Sequence, residues 1–289
     1  MTATCVVFIL GSLVGLRATA AEPPLDIFAY DRNAPLQVTE VGRETRGPAL
    51  IRDISFVPVD QPVKAYIVAP SDGKTGPAIL YVHWLGEPST TNRTEFLSEA
   101  VDLAGHGVTS VLVDTMWAAP KWYGQRIPEE DYAQAIHQVI ELRRAMDLLL
   151  SQPGVDPARV VFVGHDFGAM YGMLASAADR RAKAYVFMAA TPHFVDWFFF
   201  ARQPKDSAAY RAQISSIDPV LYVPLLAPAP IFFQFAAHDE YVSAEEAAEY
   251  YAATAVRKHM ATYNAGHDLH TAEVAADRVA WVTRELGLK

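Results

Sequence analysis

Residues 159–175 read Arg159-Val160-Val161-Phe162-Val163, then Gly164-His165-Asp166-Phe167-Gly168, then Ala169-Met170-Tyr171-Gly172-Met173-Leu174-Ala175. The first block is a short apolar run of the kind that forms a buried strand. The last is a small-residue stretch that reads as a helix. Two glycines bracket a sharp turn between them, and the middle residue stands exposed at its apex. That residue, Asp166, is an acid. A carboxylate is ionised at neutral pH and needs no base to make it a nucleophile.

Working outward, apolar runs alternate with helical patterns. Strands are expected over 51–56 and 63–68, with Asp60-Gln61-Pro62 as the turn, and over 78–82, 108–113, 183–188, 231–235 and 259–263. Helices are expected over 94–104 and 128–150, the second carrying Tyr132, Ile136, Val139, Ile140, Met146, Leu149 and Leu150 along one face. Ser243 and Glu246 form a capping box for a later helix, and Ala275, Val279, Val282 and Leu286 form the apolar stripe of the last. This alternation implies an α/β domain with a mostly parallel sheet flanked by helices on both faces. Residues 21–50 read as an extended N-terminal arm. Residues 191–228, with Trp197-Phe198-Phe199-Phe200 and then Pro204 and Pro219, exceed a simple crossover and read as a small lid. The domain itself spans 51–289.

The chain has 289 residues, 51% of them hydrophobic, enough for one large core. A formal charge of −9, with no Lys/Arg block, argues against a nucleic-acid surface. Residues 1–20 read as an export signal: Cys5 to Leu16 is apolar, and Ala18-Thr19-Ala20 offers a cleavage site. The apolar run is too short for a membrane span of roughly 20 residues. The expected location is therefore secreted or periplasmic, with no membrane attachment after cleavage. Cys5 is the only cysteine, so the mature chain would hold no disulfide.

Two further residues follow strand ends. Phe235-Ala236-Ala237-His238-Asp239 places an acid beyond one strand, and Tyr263-Asn264-Ala265-Gly266-His267 places a histidine beyond the last. Functional groups in open α/β sheets gather at the carboxyl ends of strands. The order nucleophile, acid, histidine resembles the α/β-hydrolase superfamily over roughly residues 50–289. Val155-Asp156-Pro157-Ala158-Arg159-Val160 and Asp239-Glu240-Tyr241-Val242-Ser243 are similar to the dienelactone hydrolase and prolyl-oligopeptidase-like branch, whose members carry Ser or Cys at the turn. Gly-His-Asp-Phe-Gly instead resembles haloalkane dehalogenases and epoxide hydrolases, which use Asp.

The resemblance implies a catalytic triad of Asp166, His267 and Asp239, with Asp196 as a fallback acid. It implies an oxyanion hole from the N–H groups of Phe167 and Leu85, the latter in the turn His83-Trp84-Leu85-Gly86. Trp84, His83, Trp197 and Tyr171 are candidate substrate contacts. The Trp84 indole suits a halide, and Tyr171 or Tyr241 suits an epoxide oxygen. His267, Asp268 and His270 lack the further ligands a metal site needs, so no metal or cofactor is expected. The expected activity is hydrolysis of a small, largely apolar substrate through a covalent ester on Asp166. A dienelactone-hydrolase-like carboxylic ester hydrolase is the alternative, and an inactive binding protein of the same fold the second.

Overall fold

Gly76–Val82 (β4) is buried along its whole length because both its faces are covered. Ala78, Leu80 and Val82 enter one hydrophobic cluster, Ile79 and Tyr81 another, as the two-residue period of a strand requires. The same division runs through Val155–His165 (β6): Val160 and Phe162 join the first cluster, Val161 and Val163 the second. A strand between two cores cannot alternate with polar residues, which is why these segments are continuous apolar runs.

The computed structural model describes residues 23–87, 92–199, 203–255 and 257–288. The expected export signal and Phe200 lie outside them. Among the described residues nine strands form one sheet in the order β1-β2-β3-β5-β4-β6-β7-β8-β9. Thr39–Arg46 (β1), Ala49–Phe56 (β2) and Val63–Pro70 (β3) are antiparallel, and β3 meets Thr109–Val113 (β5) antiparallel. From β5 through β4, β6, Ala184–Met188 (β7), Ile231–Ala236 (β8) and Lys258–Tyr263 (β9) every pairing is parallel. All the parallel strands therefore present their carboxyl ends at one rim.

Two segments differ from the sequence expectation. The arm over 21–50 joins the sheet: its second half is β1, a charged and largely exposed edge strand. Glu40 on β1 accepts from Arg43 and from Arg52 of β2. Its first half is anchored by Phe28, fully buried against Tyr222, and by Arg143 and Arg144, which donate to the backbone carbonyls of Phe28 and Ala34. The insertion over 191–228 holds the helices Phe194–Phe198 and Ser207–Ile214 and three shorter turns. Most of its large side chains, among them Tyr210, Ile214, Ile217 and Tyr222, are buried in the first cluster, so it is largely body rather than lid. No helix among the described residues is long and apolar enough to cross a membrane.

Candidate active site

Asp166 stands between β6 and the helix Phe167–Ala178, with φ 55° and ψ −119°. A positive φ at a non-glycine residue costs on the order of 1–3 kcal/mol and persists only where its surroundings enforce it. Here the Asp166 N–H donates to Met188 O at 2.8 Å, and Asp166 O accepts from the N–H groups of Ala169 and Met170, each at 2.9 Å. The glycines allow the close approach. A Cβ on Gly164 would lie 2.4 Å from Gly168 O, and one on Gly168 would lie 2.4 Å from Val82 O.

The Asp166 side chain is fully buried. Its Oδ2 accepts the Leu85 N–H at 2.8 Å, while Oδ1 has no hydrogen-bond partner among the described residues. Burial pushes its pKa up to about 7, against the charge of His267 and hydrogen bonds from the Leu85 and Phe167 N–H groups, which favour the carboxylate. Of the two N–H groups expected to form an oxyanion hole, that of Leu85 donates to Oδ2, and that of Phe167 also favours the carboxylate.

His267 follows β9. Its Nδ1 lies 3.0 Å from both Oδ1 and Oδ2 of Asp239, and its Nε2 is buried without a partner among the described residues. Asp239 also accepts the N–H groups of Tyr241 at 2.9 Å and Val242 at 3.0 Å. Burial alone would raise the Asp239 pKa, yet the His267 bond and charge and these N–H donors hold it below the usual value. Burial alone would likewise lower His267, but the Asp239 bond and the carboxylate charges of Asp166 and Asp239 hold it above the ordinary imidazole value. The fallback acid Asp196 is exposed and lies beside His193 and Glu246.

A cleft of about 840 Å³ opens on His267 and is walled chiefly by Trp84, Trp117, Trp122, Tyr123, Trp197 and Tyr241. Trp197 is the insertion's contribution among the described residues. The indole N–H groups of Trp84 and Trp197 are buried without partners among those residues. Both rings flank the imidazole, at centroid distances of 6.0 and 5.3 Å.

His83 and Tyr171 do not line this cleft, contrary to the sequence expectation. The His83 Nε2 meets the Thr115 hydroxyl at 3.0 Å and its Nδ1 meets Trp84 O at 2.8 Å. Burial holds its pKa down to about 4, so the ring is neutral and its Nδ1–H donates. Tyr171 packs on Trp117 and Phe194 and borders a separate cavity beside Arg126. Both orientations follow from packing across the sheet, which local sequence does not carry. His270 stands edge-on to Trp84, and no cluster of three metal-binding side chains occurs among the described residues.

Glu95 is the residue that sequence reasoning missed. It lies just before the helix Leu97–Ala104 and is buried beneath the site. Its Oε2 accepts the Trp84 N–H at 2.9 Å, and its Oε1 lies 2.7 Å from His165 Nδ1. No local pattern in Asn92-Arg93-Thr94-Glu95 signals such a contact.

A family model described as the alpha/beta hydrolase family matches residues 82–285. The chain belongs to that family. The polyketide transferase ATR5 of Stachybotrys chlorohalonatus is 29% identical over 159 residues, 53% of this chain and 50% of that protein. The chain thus spans about half the length of that relative. An acetyl xylan esterase from Paenibacillus sp. R4 superposes with a TM-score of 0.70 at 16% identity, over 86% of this chain and 89% of the other. A cold-adapted esterase from an Arctic intertidal metagenomic library gives 0.66 at 19% identity, over 86% and 99%. The S-formylglutathione hydrolase of Agrobacterium tumefaciens gives 0.65 at 15%, over 86% and 100%. At these identities the three structures share the fold.

Proposed function

We propose that the protein hydrolyses a small, largely apolar substrate by displacement at a saturated carbon, through a covalent ester on Asp166. The observation that carries this reading is the division of labour between the Asp166 oxygens. Oδ2 already sits on the Leu85 N–H, whereas Oδ1 is buried and unpartnered. Oδ1 attacks the carbon, the bond to the leaving group breaks with its electron pair, and an ester joins Oδ1 to the substrate. Trp84 and Trp197 offer their free indole N–H groups to the departing atom.

Hydrolysis then uses the other half of the site. His267 Nε2 takes a proton from water, whose oxygen attacks the Asp166 carboxyl carbon. The negative charge develops on Oδ2, which already accepts the Leu85 N–H. Collapse expels the Oδ1 oxygen with the product, His267 returns its proton to that oxygen to give the alcohol, and water supplies the replacement oxygen on Asp166. Asp239 holds the imidazole tautomer and stabilises its cation. A carboxylic ester suits the site less well, because its own oxyanion would need the Leu85 N–H that Oδ2 occupies.

A single turnover in 18O-labelled water tests this route, using whichever haloalkane or epoxide the enzyme accepts from a panel. The product of the first turnover should be unlabelled, and the peptide carrying Asp166 should gain the label. Label in the first product, with none on Asp166, would mean that water attacks the substrate directly.

Export belongs to the same reading and rests on the apolar run from Cys5 to Leu16 and on Ala18-Thr19-Ala20. The exported native protein should begin near Ala21 by mass spectrometry; a full-length cytoplasmic product would refute it.

A further inference from the structure

Three backbones meet at one buried pair of side chains. His165 immediately precedes Asp166, and its Nε2 lies 3.1 Å from His267 O. Its Nδ1 lies 2.7 Å from Glu95 Oε1, and Glu95 Oε2 accepts the Trp84 N–H beside Leu85. The Trp84 indole stacks on the His165 ring at 5.3 Å. The pair therefore ties the turn that supplies a donor to Asp166, the nucleophile turn itself, and the loop that carries His267.

The proton inventory of this chain is fixed by what each atom faces. A carbonyl oxygen only accepts, so His165 Nε2 must donate to His267 O. In a neutral ring Nδ1 is then an acceptor, and the hydrogen between it and Glu95 belongs to Glu95. A cationic ring beside an ionised Glu95 is the other arrangement. It would place two charges where both side chains are essentially excluded from water.

We propose that Glu95 is a positioning residue, held in its acid form so that it donates to His165, which in turn fixes the His267 loop and the Leu85 turn. Burial first, and Glu99 in addition, favour the acid form of Glu95, while the Trp84 N–H and the charges of His270 and Arg278 oppose it; the outcome is a pKa of about 8. His165 is held well below the ordinary imidazole value, by burial and then by the charge of His267. An ionised Glu95 would also push Asp166 toward its protonated form. The titratable and charged groups facing the pair are thus His83, Glu99, Asp166, His267, His270 and Arg278.

Above its pKa Glu95 cannot donate. His165 then moves its proton to Nδ1, facing the carboxylate, and the bond to His267 O is lost. Glu95→Gln keeps both contacts, since its amide N–H donates to Nδ1 and its carbonyl accepts from Trp84. Glu95→Ala keeps neither.

The role of His267 rests on the proposed function, but the following measurement reads the resting protein. NMR of the 15N-labelled histidines and of the 13C carbonyl of His267 should be followed from pH 6 to pH 10. In the wild type His165 should be the neutral Nε2–H tautomer at pH 7. The tautomer should change, with a shift of the His267 carbonyl, as pH passes about 8. Glu95→Gln should hold the pH 7 signals to pH 10, and Glu95→Ala should shift the His267 carbonyl at every pH. A doubly protonated His165 at pH 7 would overturn the proposal. So would wild-type signals that do not change up to pH 10, or Glu95→Gln signals like those of Glu95→Ala. Failure of these outcomes with a covalent adduct still forming on Asp166 would leave the hydrolytic route standing.

Discussion

Asp166 and Asp239 are two buried carboxyl groups presented toward one imidazole by turns of different construction. The Asp239 turn gives its carboxylate two backbone N–H donors besides His267, and the group stays ionised below its usual pKa. At Asp166 one oxygen accepts the Leu85 N–H, the other has no partner among the described residues, and burial pushes the pKa up to about 7. A carboxylate whose lone pairs are all engaged orients a neighbour well and attacks poorly. One with an unengaged oxygen in a dry setting is the better nucleophile, at the cost of being harder to ionise.

The sharpest break between the two comes from their amides. Asp166→Asn should reduce turnover on the order of 10⁴-fold or more, because a neutral amide is a poor nucleophile. Asp239→Asn should leave Asp166 able to attack while slowing deacylation by roughly 10²- to 10⁴-fold, since the imidazole loses its tautomer and the support of its cation. Steady-state and burst kinetics separate the two: a burst survives in the second variant only. Equal loss of the burst in both would mean that the carboxylates do not divide their roles.

The pH profile sharpens the same comparison. Asp166 must be ionised to attack and His267 neutral to accept a proton, so both steps improve as protons leave. The kcat/KM value should rise with pH through about 7, the region set by Asp166. In a deacylation-limited regime the rise should continue to higher pH, because His267 is held above the ordinary imidazole value. A fall in kcat/KM between pH 6 and pH 8 would contradict this assignment.

The smallest effect is on stability and needs no substrate. The folded-state pKa of Asp166 is about 7, against about 4 for an unfolded Asp, so the folded chain keeps a proton that the unfolded chain releases between these values. The resulting stability is fully present below about pH 4 and is lost as pH rises to 7. Asp166→Asn carries no such loss. Relative to the wild type it should gain stability between pH 4 and pH 8, by at most about 4 kcal/mol, measured by urea titration. Asp239 is lowered, so Asp239→Asn should move the opposite way, losing ground as pH rises through the carboxylate range.

The fold was legible because its strands rest on local signals, and the same signals marked Asp166, Asp239 and His267 as residues beyond strand ends. Continuous apolar runs marked the strands that both cores cover; Asp166 and Asp239 each follow such a run, and His267 follows the mixed strand Lys258–Tyr263. The strand β1 left no such mark, because an exposed edge strand such as Thr39–Arg46 needs charge rather than hydrophobicity. Glu95 was invisible because its partners, Trp84 and His165, are distant in sequence and its own turn has no periodic pattern. His83 and Tyr171 misled because a ring near a strand end or helix start faces wherever packing sends it. Here that is toward Thr115 for one and toward Trp117 for the other.

The central claim is that Asp166 Oδ1 forms a covalent ester which His267 then removes. The most direct measurement is intact-mass and peptide-mapping analysis of the His267→Gln protein incubated with 1-bromobutane and 1,2-epoxybutane in turn. Attack needs no proton from Asp166, whereas hydrolysis needs the imidazole, so the ester should accumulate. The account predicts one added alkyl group on the peptide containing Asp166, absent from the Asp166→Asn/His267→Gln double variant. An adduct on any other residue, or one that persists in the double variant, would contradict it. So would wild-type turnover of either compound with no adduct trapped in His267→Gln.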